Sequence, residues 1–326
     1  MLNTFLFTNL NSGRNIRNKL RLSKLRKLLG NKGHVFATHS VDELEKVVSD
    51  LHTYEPGKII IDGGDGTWTT FLSLLMQYWP SEKGLPCFGI LPGGTYNLMS
   101  KACGVKKEKR YLQDIVSASS EELYYKNVNM IKIKDDNGLE SYGFSFGVGT
   151  PVTLLEEFYK YKRLKNLRIG FMFARVLFSK MFRQKYYDLF NTKTRLSIKP
   201  KINNLYKEFN GDYLGMVVQS FETVGLPFSK PFYKAQLMHK HFHAMGTTMD
   251  LGTFLYYVIP FYFGKPVPGM DLDVQTNELK VESEMPFKYQ VNGELGLFNK
   301  QFSANSVYVS HGINLKIIKA SKKVYK

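Results

Sequence analysis

Cysteine is nearly absent from this chain: Cys87 and Cys103 are the only two. Neither belongs to a CxxC pair or a Cys/His cluster, which argues against a disulfide framework and against a structural zinc site. A reducing compartment fits. Long apolar runs are missing as well. The longest, residues 254–263, is interrupted by Pro260 and is roughly half of the ~20 residues that a spanning helix needs. Residues 1–8 lack a basic lead, so no signal peptide is expected. A cytoplasmic chain, soluble or peripherally attached to a membrane, is the expectation. Internal repeats and low-complexity linkers are absent. Acidic residues are scarce: 28 Asp and Glu stand against 45 Lys and Arg, a formal net charge of +17. Such a field attracts polyanions, whether nucleic acid, an anionic membrane surface or a phosphorylated substrate. No nucleic-acid module accompanies the charge, so no nucleic-acid partner is expected.

What is present is a chain of 326 residues, 43% hydrophobic, enough for two cores. The first part alternates strands with helices. Strands are expected at 2–8, 35–38, 58–61 and 86–91. Helices are expected at 15–29, from Ser40 (with Glu43 completing a capping box), at 68–78 and at 97–103. This alternation predicts a doubly wound parallel sheet. From about Tyr124 the period changes to two. Strands at 127–134, 142–147, 194–199, 213–219, 278–282, 287–291 and 306–309 predict an antiparallel second domain. Helical insertions near 156–185 and 251–263 interrupt it. The expected division is 1–123, 124–312 and a basic segment 313–326 that returns to the first domain.

Chemistry concentrates in three loops of the first part. Ile59-Ile60-Ile61 runs into Asp62-Gly63-Gly64-Asp65-Gly66-Thr67, a strand, a glycine turn and a helix start. Glycines let backbone N–H groups close on an anion, and the helix start adds the positive end of its dipole. The loop is not a Walker A motif, because GxxxxGK[ST] is absent. A carboxylate at Asp65 beside phosphates calls for Mg²⁺ to cancel the repulsion. Read alone, the same segment is also a tight turn with a capping Asp. Leu91-Pro92-Gly93-Gly94-Thr95-Tyr96-Asn97 repeats the pattern one strand later. After the first strand comes Thr8-Asn9-Leu10-Asn11-Ser12-Gly13-Arg14, whose small polar residues and Arg suit phosphate contact.

In this order the three loops resemble the diacylglycerol kinase catalytic-domain family, which includes bacterial diacylglycerol kinases, sphingosine kinases and ceramide kinases. The family's NPxSG-like, GGDGT and PxGTxN segments read here NLNSG, GGDGT and LPGGTYN. Residues 142–149 and Gln290-Val291-Asn292-Gly293-Glu294 extend the likeness into the second domain. The resemblance implies a phosphofructokinase-like nucleotide domain followed by an antiparallel β-sandwich that binds lipid. It implies ATP held between the domains with Mg²⁺, and phosphoryl transfer to a lipid hydroxyl such as that of diacylglycerol or a sphingoid base. Asn9, Ser12, Gly13 and Arg14 would contact the nucleotide. Gly64, Gly66, Thr67 and Thr95 would contact its phosphates, and Gly63, Gly94 and Asn97 would also belong to the nucleotide site. Asp65 would organise Mg²⁺ or the attacking hydroxyl, and Glu294 would be the general base. Glu294 also follows Asn-Gly, a turn signal in its own right. The sequence departs from the family at Leu98, at Asn292, at Asn127 or Asn129, and at His239 or Lys240, where relatives carry acids. A soluble-substrate kinase of the NAD kinase type, and a catalytically weakened nucleotide- or membrane-binding protein, are the alternatives.

Two surfaces suit an anionic bilayer. One is the basic amphipathic stretch 160–182; the other is 251–263. The first also reads as a helix packed on the second domain through its apolar face. A homodimer is left open. His239, His241 and His243 alternate, which on a strand would put all three on one exposed face.

Overall fold

The computed structural model describes residues 4–94, 97–105, 108–119, 122–160, 184–223, 228–235 and 237–321. It separates into two compact units, one of residues 1–130 with 313–326, the other of 131–312.

The first unit is built on a parallel sheet. Its strands are β1 (Thr4–Asn9), β2 (Gly33–Thr38), β3 (Lys58–Gly63) and β4 (Cys87–Pro92). β1 lies between β2 and β3, and β4 lies on the far side of β3. Ile317 near the C-terminus pairs in parallel with Phe88 of β4. The central strands are apolar because both their faces are covered. β3 is buried along its whole length, and only Asn9 of β1 is partly open. Helices α1 (Gly13–Arg17), α2 (Arg21–Leu29), α3 (Val41–Ser49), α4 (Asp65–Tyr78), α5 (Leu98–Ala102) and α6 (Glu108–Ser117) fill the connections. From β1 the chain moves outward to β2; from β3 it moves the other way to β4. The β1/β3 boundary is therefore the topological switch point, where open α/β sheets bind ligands at their carboxyl ends.

Two expected helices differ in extent. The helix expected at 15–29 is two helices, α1 and α2. The break lets Arg21 turn inward and bury its guanidinium on Asp62. The helix expected from Trp68 begins at Asp65, because extended Gly64 already serves as its N-cap. The capping box at α3 is present in shifted form. Ser40 Oγ accepts the Glu43 amide at 3.1 Å, while Glu43 Oε2 accepts the amide of His39, at 2.7 Å, rather than that of Ser40.

The second unit is antiparallel and two-layered. One layer runs β13 (Leu272–Thr276), β12 (Phe242–Thr247), β11 (Gly215–Gln219), β7 (Ser145–Gly149) and the end of β14 (Glu278–Val291). The other holds β8 (Thr194–Ile202), β10 (Phe209–Tyr213), the start of β14, and β17 (Ser303–Ser321) over its first residues. β5 (Leu123–Asp135) pairs with β6 (Glu140–Gly143), and the short strands β9 (Leu205–Tyr206), β15 (Gly296–Leu297) and β16 (Lys300–Gln301) form two small hairpins, β9 with β8 and β15 with β16. Strands expected at 278–282 and 287–291 are thus one strand. A register shift between Glu282 and Phe287 lets it pass from one layer to the other. Leu196, Ile198, Val281 and Val307 meet Phe146, Met216, Val218 and Phe242 in a common core. Strands β12 and β13 were not read from the sequence. Helices α7 (Thr150–Lys160) and α8 (Gln184–Phe190) bracket the basic stretch, whose residues 161–183 lie outside the described residues. The insertion at 251–263 is a helix pair, α9 (Leu251–Tyr256) and α10 (Val258–Tyr262).

The histidine reading is corrected. β12 begins only at Phe242, so His239 and His241 precede it, and His243 is fully buried. Its Nε2 lies 2.6 Å from Asp273 Oδ1, and Lys234 Nζ lies 2.9 Å from the same atom. A buried imidazole needs such a partner.

Candidate functional site

The loops after β1, β3 and β4 are knotted together by side chains. Asn9 Nδ2 donates to Thr67 Oγ1 at 2.9 Å, and Asn9 Oδ1 accepts the amide of Asn11 at 2.9 Å. Ser12 Oγ and the Arg14 amide both donate to the Gly93 carbonyl, at 3.0 and 2.8 Å. The Arg14 guanidinium reaches the Pro92 carbonyl at 3.1 Å. Gly13 opens α1 between these two residues.

The glycine loops touch directly. A Cβ on Gly94 would lie 2.3 Å from the Gly64 Cα, and one on Gly63 would lie 2.5 Å from the Thr67 side chain. Neither site has room for a side chain. The Gly93 amide donates to the Gly63 carbonyl at 3.0 Å. Asn97 closes the second loop: its Oδ1 accepts the Gly94 amide and its Nδ2 donates to the Gly94 carbonyl, both at 2.8 Å. Asn97 adopts φ +52°, a left-handed conformation that Asn tolerates. Thr95 lies outside the described residues.

Asp65 is the link between the glycine loops. Its Oδ2 accepts the Leu98 amide at 3.0 Å and its Oδ1 the Met99 amide at 3.1 Å. It therefore caps α5 while standing in the first turn of α4. Burial raises its carboxyl above the ordinary value, and the two amides pull against that rise.

Beneath the loops lies a pair that sequence reasoning missed. Asp62, fully buried, bonds Arg21 through both oxygens and accepts Asn15 Nδ2 at 3.1 Å. A signal existed: an acid closing the apolar strand Ile59–Ile61 must be paired if it is buried. Which of the many basic residues pairs with it was not legible.

Glu294 lies in the second unit. Val291–Glu294 is a tight turn closed by reciprocal backbone bonds of 3.0 and 2.9 Å. Asn292 and Gly293 have φ +53° and +81°, as a type I′ turn requires. The turn is anchored by Asn292 Oδ1, which accepts the amides of Phe144 and Ser145 at 2.8 and 3.0 Å. Tyr159 Oη donates to the Gly293 carbonyl at 2.9 Å and lies 3.4 Å from Glu294 Oε2.

The N-terminus of α4 suits phosphate. The first-turn amides of Gly66 and Thr67 have no acceptor within the helix, the place where a helix start takes an anion. Each Asp65 oxygen has accepted one amide and keeps a second lone pair. One carboxylate with nucleotide phosphates is an ordinary Mg²⁺ arrangement. Among the described residues no group of three or more His, Cys, Asp or Glu offers an all-protein cage. Asp273, in the strand paired with β12, is taken by His243 and Lys234.

Residues 3–127 match the family model of the diacylglycerol kinase catalytic domain. This is the family whose segments the ordered loops resemble. A search of the curated proteins found no match. Among solved structures, a putative diacylglycerol kinase from Bacillus anthracis str. Sterne is similar with a TM-score of 0.70 at 16% identity, covering 99% of this chain and 98% of its own. Two further diacylglycerol kinase structures from that organism, one titled putative, give TM-scores of 0.64 and 0.61 at 15% identity, each covering 97% and 96%. At these identities the likeness establishes the fold alone: a domain built on a parallel sheet, followed by an antiparallel strand-rich region. Among the described residues, no helix is long and apolar enough to cross a membrane.

Proposed function

We propose that this protein transfers the γ-phosphoryl group of ATP to the hydroxyl of a lipid alcohol, with diacylglycerol or a sphingoid base as the substrate class. The observation that carries the reading is the joining of the three loops by Asn9–Thr67, Ser12–Gly93 and Asp65–Leu98, within the segment that matches the family model. Asn9, Ser12, Gly13 and Arg14 hold the nucleotide side. Gly63, Gly64, Gly66, Thr67, Gly94, Thr95 and Asn97 line the phosphates.

Asp65 is the residue that would hold Mg²⁺ together with the nucleotide, and the ion would supply charge neutralisation at the phosphates. The protein's own residues then do three things. The α4 amides orient the phosphates. Asp65 fixes the second glycine loop against the first, so that the phosphate cradle is preorganised. Glu294, held by a rigid turn, takes the proton of the acceptor hydroxyl. Tyr159 positions it.

The test is incubation of the full chain with radiolabelled ATP and mixed lipid vesicles. Label in a lipid product supports the reading. Nucleotide binding without transfer to any lipid overturns it. Consumption of NAD without membranes would instead favour the soluble-substrate reading.

A further inference from the structure

Helices α9 and α10 are apolar on both sides. Their inner side is anchored in the second unit: Leu251 packs with Tyr187 and Phe190, and Phe261 with Phe232 and Met245. Their outer side carries Tyr256 at 80% exposure, Ile259 at 67% and Phe263 at 55%. Tyr256 ends α9, Ile259 lies in α10 and Phe263 caps it, so the exposed side chains run along the helix pair. A helix apolar all round is normally covered all round, and nothing in the described chain covers this face.

The neighbouring segment adds to it. The Lys230 amide donates to the Tyr262 carbonyl at 3.0 Å, and a Cβ on Gly264 would meet the Lys230 carbonyl at 2.3 Å. Two residues before Lys230 stands Phe228, 91% exposed and at φ +59°. A bulky residue in the left-handed region costs free energy. Here the ring is left in water.

The charge around these rings is of one sign. Residues 228–241 and 251–265 contain no Asp or Glu. Lys230 and Lys265 flank the exposed rings, and Lys265 makes no ion pair among the described residues. Lys230 bonds Glu222 at 3.1 Å with its side chain 67% exposed. Aromatic rings beside lysines with no acid between them suit the headgroup region of an anionic bilayer. A second copy of the chain is a poor occupant, because two molecules of net charge +17 would have to meet through a basic face.

We infer that Phe228, Tyr256, Ile259 and Phe263, flanked by Lys230 and Lys265, form the surface on which this protein docks onto anionic membranes. The inference deepens the lipid-kinase reading and rests on it for its motive. Its test does not depend on that reading.

The full-length protein is sedimented with phosphatidylcholine vesicles containing or lacking phosphatidylglycerol. The wild type should pellet with the anionic vesicles and be released by salt. The combined variant Phe228→Ser/Tyr256→Ser/Ile259→Ser/Phe263→Ser should lose at least tenfold in partition. Its circular dichroism and thermal midpoint should stay unchanged, since the four side chains are exposed. Separately, Ile259→Trp should shift its emission to the blue on anionic vesicles and be quenched by brominated acyl chains. Wild-type partition of the combined variant, or no shift and no quenching for Ile259→Trp, overturns the docking surface. So does a wild-type dimer that the combined variant dissociates while vesicle binding persists. Phosphorylation of a short-chain diacylglycerol in detergent micelles is measured alongside. Its absence in the wild type counts against the kinase reading alone. Its retention within twofold in the combined variant separates docking from catalysis.

Discussion

Asn9 and Thr67, 58 residues apart, meet at 2.9 Å and join the loop after β1 to the first turn of α4. The contact spans the switch point of the parallel sheet. It places an amide and a hydroxyl where the phosphates are proposed to lie. Replacing Thr67 by Val keeps its shape and removes the acceptor. Asn9→Ala removes the donor and the turn at Asn11. A double-mutant cycle read by calorimetric nucleotide binding should give a coupling of about 1 kcal/mol. Additive losses would mean that the contact does not shape the nucleotide site.

Asp65 and Glu294 should fail in different ways. Asp65→Asn keeps one acceptor and turns an amide N–H₂ toward the amides of Leu98 and Met99. It should abolish transfer and also cost about 1–3 kcal/mol of stability in a denaturant titration. Glu294→Gln should abolish transfer with little change in midpoint, because the turn is held by Asn292 and by backbone bonds. Wild-type rates in both variants would sink the assigned roles. Equal midpoints would show that Asp65 does not hold α5.

The glycines supply a steric test with its own control. Gly94→Ala would press a methyl group on the Gly64 backbone and force the two loops apart. It should weaken nucleotide binding by tenfold or more and lower the midpoint. Gly84→Ala, where a Cβ meets nothing within 4 Å, should leave both unchanged. The comparison is read in one binding assay and one melt.

Much of this candidate site was legible because glycine loops and parallel strands leave local signatures. The apolar run Ile59–Ile61 followed by glycines gave both β3 and the start of α4. Other features depend on contacts that no local pattern encodes. The break between α1 and α2 exists because Arg21 must reach Asp62 across 41 residues, and helix propensity alone would have kept 15–29 whole. His243 was read as exposed because alternation reports a shared face, but not which face is buried. Its burial follows from Asp273, 30 residues on, which lies in a strand too short and too polar to be recognised. The Asn-Gly turn read from the sequence is present, and it fixes the position of Glu294.

Asp273 makes stability depend on pH in a defined window. Burial alone would raise its carboxyl, but the hydrogen bonds from His243 and Lys234, with their charges, hold it down to about 2. Its ordinary value is 3.8. A carboxylate lowered on folding contributes stability that is fully present above the unfolded value and lost as pH falls through the folded one. The contribution should therefore be complete above about pH 4–5 and largely gone near pH 2. From the size of the shift it is about 2 kcal/mol. Asp273→Asn should destabilise the protein by roughly that amount at pH 6, and its stability curve should converge with the wild type as pH falls from 4 toward 2. Denaturant titrations at pH 6, 4 and 3 read this directly. A gap between variant and wild type that stays constant across that range would mean that the His243–Asp273–Lys234 cluster holds β12 to β13 by packing, with no charge contribution.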